Sequence, residues 1–252
     1  IRMTAIARYG VNGVNLGSMK LTDITPSVLG AWRDQRISVD GVSGSTVNRE
    51  IKLLSHIFTT AKREWRWMSE SPTKDVRRPK EAAHRDRLIS DDEIERICNA
   101  LGFDGGKAKT KSACAAVAFM FALETAMRAG EICGLTREDV KGRVATLQAT
   151  KNGSRREVPL STKALELIEL LPEDGTTLFN VSGASLDVLF RKARDRCEIE
   201  NLTFHDTRHE AITRLAKKLN VLELARTVGH KDLKMLQIYY NETAENLADK
   251  LD

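Results

Sequence analysis

The chain has 252 residues, 41% hydrophobic and 30% charged, with a formal net charge of +5, which is the composition of a globular protein and excludes a disordered or fibrous one. Its longest apolar run, residues 113–123, falls short of the roughly 20 residues of a bilayer span. No charged segment followed by an apolar one opens the chain, so neither membrane attachment nor a secretory signal is expected. Cys98, Cys114, Cys133 and Cys197 are widely spaced with no CxxC pair, which argues for reduced thiols in a cytoplasm over a disulfide framework or a zinc knuckle. The charge is uneven: residues 1–90 hold 16 Lys and Arg against 9 Asp and Glu, and the rest of the chain holds 24 against 26. A basic front on a near-neutral back suits a polyanion gripped from one side, with ordinary solubilising charge as the alternative.

In chain order, residues 1–20 carry Gly10, Gly13 and Gly17 and read as a loop or tail. Thr25-Pro26 caps and starts a helix that runs to about residue 37. A longer helix is expected from 45 to about 68, its apolar stripe formed by Val47, Ile51, Leu54, Phe58, Ala61 and Trp65. On the other side Arg49, Lys52, His56 and Arg63, with Asn48 beside them, form a polar and basic face. Such a face can donate to phosphates or base edges in a DNA groove, or can simply be solvated. Pro72 closes this unit. Arg77, Arg78 and Lys80 belong to a basic connector, and residues 79–88 read as an interdomain linker. Ser90-Asp91-Asp92-Glu93 is a capping box that opens a second domain. The 112–124 stretch is apolar nearly all round and predicts a buried central helix. Strands at 144–149 and 156–160 flank Lys151-Asn152-Gly153-Ser154, a hairpin signal. Helices are expected at 162–171 and 185–197, after a Thr207/Glu210 capping box, and around 221–228 and 232–240.

Five features carry chemistry. Arg128 emerges from the apolar helix, where it needs either a partner such as Glu131 or an anion. Lys151 stands at the hairpin tip. His205 and Arg208 open a helix, where free N–H groups favour an anion. His230 follows a helix stop at Gly229, and Tyr239 lies nine residues on. His205, His209 and His230 could suggest a metal site, but no acidic or Cys ligand stands at a familiar spacing, so no metal is expected.

In this order, Thr125-Ala126-Met127-Arg128-Ala129-Gly130-Glu131, Thr150-Lys151-Asn152-Gly153, His205-Asp206-Thr207-Arg208-His209, Gly229-His230 and Gln237-Ile238-Tyr239 resemble the motifs of the tyrosine recombinase (phage integrase) family. The one departure within these motifs is Ala126, where many members carry Gly. The resemblance implies two domains: an all-α core-binding domain at 21–78, and an α+β catalytic domain at 89–252, mainly helical with a small antiparallel sheet. No arm-binding domain is expected within residues 1–20. It implies that Arg128, Lys151, His205, Arg208, His230 and Tyr239 are catalytic. Attack on a phosphodiester puts extra negative charge on the phosphate oxygens, and always-ionised, bidentate guanidiniums suit that charge. In this reading Arg128 and Arg208 clamp the phosphate and His230 adds a hydrogen bond. Tyr239 attacks with His205 as base, and Lys151 protonates the leaving 5′ oxygen.

The resemblance also implies a 3′-phosphotyrosyl intermediate, no cofactor and no ATP. The partner is double-stranded DNA at specific sites, bound by Asn48, Arg49, Lys52, His56, Arg63, Arg77, Arg78 and Lys80. A homotetramer on paired sites is expected, with an accessory DNA-bending protein as a further partner. A short helix bearing Ala244, Leu247, Ala248 and Leu251 is expected to dock on a neighbouring protomer. The competing readings are a type IB topoisomerase, an inactive DNA-binding regulator and a metal-dependent nuclease.

Overall fold

The computed structural model describes residues 6–7, 10–11, 13–81, 85–148, 155–230 and 232–240. The chain divides into two compact units, Ile1–Arg85 and Asp86–Asp252.

In the first unit a short hairpin, β1 (Gly10–Val11) and β2 (Val14–Asn15), precedes two helices, α1 (Pro26–Ser38) and α2 (Gly44–Arg63). Thr25 Oγ1 accepts from the Val28 N–H to cap α1, with Pro26 in the first turn, and Ser43 Oγ caps α2. Leu29 and Trp32 of α1 meet Val47, Ile51, Leu54 and Phe58 of α2 in one apolar cluster. Ile6 and Leu16 are buried in the same cluster, so part of the expected tail is packed and carries the β1–β2 ladder. Gly13 takes φ +81°, a conformation that only Gly adopts without cost. Arg36 is 8% exposed and reaches Glu50 at 2.8 Å and Asp40 at 3.2 Å, which ties α1 to α2. Helix α2 ends at Arg63, five residues earlier than expected. Arg66 turns left-handed at φ 57°, and Trp65 leaves the apolar stripe to pack on Trp67, both rings exposed.

The second unit is built round α4 (Lys111–Thr125), which follows α3 (Asp91–Ala100). The Ser90–Glu93 capping box forms on α3. Small side chains, Ala113, Ala115, Ala116, Ala118 and Ala122, leave α4 buried on nearly every side. Its apolar surface is covered by the later helices α6 (Thr162–Glu169), α7 (Gly183–Arg196) and α8 (Asp206–Ala216). Two short elements that the sequence does not announce come between: α5 (Ala129–Gly134) and β3 (Val140–Lys141). Strand β3 pairs antiparallel with β4 (Val144–Leu147), which pairs antiparallel with β5 (Arg156–Pro159). The residues joining β4 to β5, Lys151 among them, lie outside the described residues.

The Thr207/Glu210 capping box does not form. Helix α8 starts at Asp206, whose carboxylate accepts from the Thr203 N–H and hydroxyl. Glu210 instead accepts from the Ile89 N–H at 3.1 Å and from Arg214. After α9 (Val221–Val228), the helix expected at 232–240 is two single 3-10 turns, Leu233–Met235 and Gln237–Tyr239. The expected helix at 244–251 lies outside the described residues. The four cysteines are free, and burial pushes the Cys98 and Cys133 thiols up to about 11. Among the described residues no helix is long and apolar enough to cross a membrane.

Candidate active site

The site begins where α4 stops. Ala126 turns left-handed at φ 53°, and its N–H closes the helix on the Ala122 carbonyl. That turn aims the Ala126 carbonyl sideways into Arg208, which donates to it and, at 2.7 Å, to the Val228 carbonyl. Both acceptors lie at helix C-termini, α4 and α9, where the helix dipoles are negative. Arg208 is only 4% exposed, and among the described residues no carboxylate pairs with it, so two helix ends stand in for a counter-ion. Burial first, and then the neighbouring Arg128 and Arg156 charges, lower its pKa to about 10. It remains ionised near neutrality.

Arg128 starts α5. Its backbone N–H and its guanidinium both donate to Glu131, each at 2.9 Å. Glu131 also takes Arg156 at 2.7 Å. One carboxylate therefore serves two guanidiniums, and the third, on Arg208, has none. The cluster carries an excess of two positive charges, and a self-satisfied Arg128–Glu131 pair does not account for it. An unpaired buried cation is costly, and a phosphate would neutralise the excess.

The two expected histidines stand at this cluster. His230 follows the left-handed C-cap Gly229 of α9. Desolvation, then the Arg208, Arg128 and Arg156 charges, push its pKa down to about 4. It is neutral at physiological pH, and its buried Nδ1 has no hydrogen-bond partner among the described residues. His205, at the start of α8, is held below its ordinary range by desolvation and by Arg208 and Arg128, with Asp206 opposing. Phe204 fixes its position by packing its ring edge-on against Phe190, 5.5 Å between centroids.

Tyr239 sits on the last 3-10 turn, which Leu236 pins by full burial among α8 and α9 residues. Burial raises the Tyr239 pKa and the Arg208 charge opposes the rise. Its hydroxyl lies 2.7 Å from His209 Nδ1. His205 was expected as the base; the histidine that faces the hydroxyl in the structure is His209, one helical turn on. Tyr240, by contrast, donates to the Leu219 carbonyl at 2.7 Å and is spent on packing.

The structure thus brings Arg128, His205, Arg208, His230 and Tyr239 together, and adds Arg156 and His209. The sequence signal that could have pointed to Arg156 is a charged residue on the inward-facing side of a strand, visible only once the strand's register is known. Nothing in the spacing distinguished His209 from a helix-face histidine. Among the described residues no group of three or more His, Cys, Asp or Glu is placed to hold a metal ion.

In the first unit Arg49, Lys52, His56 and Arg63 of α2 are exposed, as are Arg77, Arg78 and Lys80. Asn48 is not on that surface. It is 4% exposed, because its amide donates to the Pro79 carbonyl at 3.0 Å and to Glu81 at 2.9 Å. Expected on the DNA-binding face, it is buried in the structure and holds the connector.

Residues 87–246 match the model of the phage integrase family. A putative integrase/recombinase of Haemophilus influenzae is 37% identical over 238 residues, covering 92% of this chain and 77% of that protein. The shufflon-specific DNA recombinase of Escherichia coli is 35% identical over 262 residues, covering 100% of this chain and 65% of that protein. A further Haemophilus influenzae relative, 40% identical, is spanned over 63% of its length, so two of these three proteins are matched over less than two thirds of their length. Among solved structures, a lambda integrase(75-356) dimer bound to a COC′ core site superposes with a TM-score of 0.77 at 20% identity, covering 96% of this chain and 87% of that one.

Proposed function

We propose, from the premise that this chain belongs to the phage integrase family, that it is a site-specific DNA recombinase cleaving and rejoining strands through a 3′-phosphotyrosyl intermediate. The observation that carries this reading is the two-charge guanidinium excess of Arg128, Arg156 and Arg208 over Glu131, gathered beside Tyr239.

Arg128 and Arg208 bind the non-bridging oxygens of the scissile phosphate, and neutral His230 turns a ring nitrogen to the same group. The Tyr239 oxygen attacks phosphorus and the bond to the 5′ oxygen breaks. With its Nδ1 unprotonated, His209, 2.7 Å from the Tyr239 hydroxyl, takes the phenolic proton. Lys151 supplies the proton for the leaving 5′ oxygen, as the family resemblance implies. Charge building on the phosphate oxygens meets donors already fixed by helix ends and by Glu131, so little reorganisation is needed as the barrier is crossed. A 5′ hydroxyl from another strand reverses the step, and the phosphodiester energy is kept in the tyrosyl link.

The chain acts on double-stranded DNA as a homo-oligomer on paired sites. The exposed cations of α2 and the connector face the phosphates, and an accessory DNA-bending protein completes the assembly. Support for assembly comes from solved neighbours that are a lambda integrase dimer on a core site and a lambda integrase tetramer on a Holliday junction.

The test is covalent capture. The full chain is incubated, with EDTA present, with a pool of nicked duplexes of randomised sequence, enriched over successive rounds for linkage to protein. Wild type is expected to yield an adduct and, on paired selected sites, Holliday junctions. Tyr239→Phe is expected to bind the same duplexes within a few-fold and to give no adduct. An adduct from the Phe variant, or none from wild type, contradicts the reading.

A further inference from the structure

Arg156 is the guanidinium that the mechanism above leaves without a task, and its surroundings are unusual. It opens β5, paired with Leu147 in the ladder, and faces inward with Val158. Its residue is 9% exposed. Nη2 donates to Glu131 Oε2 at 2.7 Å, the carboxylate that also holds Arg128. Nη1 donates to the Thr227 carbonyl at 3.2 Å, in the last turn of α9. Nε is buried with no hydrogen-bond partner among the described residues.

The stem lies against Gly229. A Cβ at that glycine would stand 2.7 Å from Arg156 Cδ and 2.9 Å from its Nη1, and the backbone there has φ +70°. Gly229 is therefore bare for two reasons: the turn needs a left-handed residue, and Arg156 occupies the space a side chain would fill. The next residue is His230. One side chain thus touches both walls of the cluster, the Arg128 wall through Glu131 and the His230 wall through Thr227 and Gly229.

Stability alone does not call for this arrangement. Well-packed apolar side chains in place of a whole buried ion-pair group are often as stable as the group itself, so a buried cation that shares its carboxylate and leaves one N–H unpaired is weak evidence of a purely stabilising role. The benefit lies in geometry, since a rigid fork can hold two backbones in register where a flexible ammonium cannot.

We propose that Arg156 is a positioning residue of the recombination site, joining the Arg128–Glu131 wall to the Gly229–His230 turn so that both meet the phosphate in one fixed arrangement. It acts through Arg128 and His230 rather than on the substrate. The inference deepens the recombinase reading and rests on it for its activity arm.

The experiment compares full-length wild type, Arg156→Met and Arg156→Lys in two measurements. The first is adduct formation on the nicked duplexes selected with wild type, at saturating DNA, with affinity measured separately. Arg156→Met is expected to slow adduct formation at least about 10-fold while affinity changes less than about 3-fold, the signature of an interaction used in the transition state. Arg156→Lys, which keeps the charge but not the fork, is expected to recover only part of the rate. The second measurement needs no DNA: histidine NMR titration of His230, whose pKa is lowered by desolvation and then by the Arg208, Arg128 and Arg156 charges. Its pKa is expected to rise in Arg156→Met and to stay depressed in Arg156→Lys.

Adduct formation by Arg156→Met within about 2-fold of wild type overturns the inference, as does an unchanged His230 pKa. Should Arg156→Met fail to fold, Arg156→Lys decides: a wild-type rate overturns the inference and a slowed rate supports it. No adduct from wild type itself counts against the recombinase reading, and the His230 titration then decides on Arg156 alone.

Discussion

At the scale of single residues, the site solves one problem several times: how to hold cations out of water without cancelling the charge they are there to present. Arg208 is fixed by carbonyls at the ends of α4 and α9, and Arg128 by a carboxylate it shares. Arg208→Lys keeps one positive charge but cannot reach two carbonyls and a phosphate together. Its expected effect is a loss of about 10²-fold or more in single-turnover cleavage with DNA affinity little changed. Equal cleavage by the Lys variant would show that charge alone suffices. The histidines give a pH signature. His230 has a folded pKa of about 4, and His205 is also lowered. The unfolded chain therefore binds more protons, and folding stability is expected to be full above about pH 6.5 and to fall as pH drops towards 4. Urea titrations across that range measure it, and a flat profile would contradict the burial of His230. The Arg128, Arg208, His230 and Tyr239 cluster was legible in the sequence because their motifs, taken together and in order, resemble those of the phage integrase family. Arg156 and His209 were not, because their roles come from hydrogen bonds to residues 25 to 71 positions away along the chain.

At the scale of elements, periodicity worked where an element is long. The apolar surface of α4 and the stripe of α2 from Val47 to Ala61 are where the spacing put them. It failed where an element spans two to six residues, as in β3 and α5, which are too short to show a period. The Asn12-Gly13 pair was a hairpin signal inside a segment read as tail, overlooked for want of alternating strands of useful length. The end of α2 was missed because a left-handed Arg66 carries no sequence mark. Connector packing on α2 was also hidden. Asn48 lies one turn after Gly44 on the same face, and a Cβ on Gly44 would collide with the Lys80 carbonyl. Gly44→Ala must displace that backbone. It is expected to destabilise the first unit by about 1–3 kcal/mol and to speed proteolysis at residues 78–81, both measurable against Asn48→Ala. Unchanged stability and cleavage would mean that the connector does not rest on α2. Ala126→Gly is a contrasting case: relief of a left-handed Ala, about 1 kcal/mol, is opposed by loss of a buried methyl of similar worth. A thermal midpoint within a few degrees of wild type is expected.

At the scale of the whole molecule, charge distribution and chemistry are divided between the two units. The first presents Arg49, Lys52, His56 and Arg63 to solvent, and the second holds the guanidinium cluster. Arg49→Ala and Lys52→Ala are each expected to lower the salt slope of DNA binding by about one for every phosphate no longer neutralised, leaving the rate of the chemical step at saturating DNA unchanged. Slopes equal to wild type would make this face merely solvated. The measurement that tests the central claim most directly is peptide mapping of the covalent complex. The adduct formed by wild type on the selected nicked duplexes, in EDTA, is digested with protease and nuclease, and the tyrosine carrying the residual nucleotide is located by mass spectrometry. Tyr239 and Tyr240 are adjacent, yet one hydroxyl faces His209 beside the guanidinium cluster and the other is bonded to the Leu219 carbonyl. The account predicts a 3′-linked nucleotide on Tyr239 and none on Tyr240; a nucleotide on Tyr240, or on any residue other than Tyr239, would contradict it.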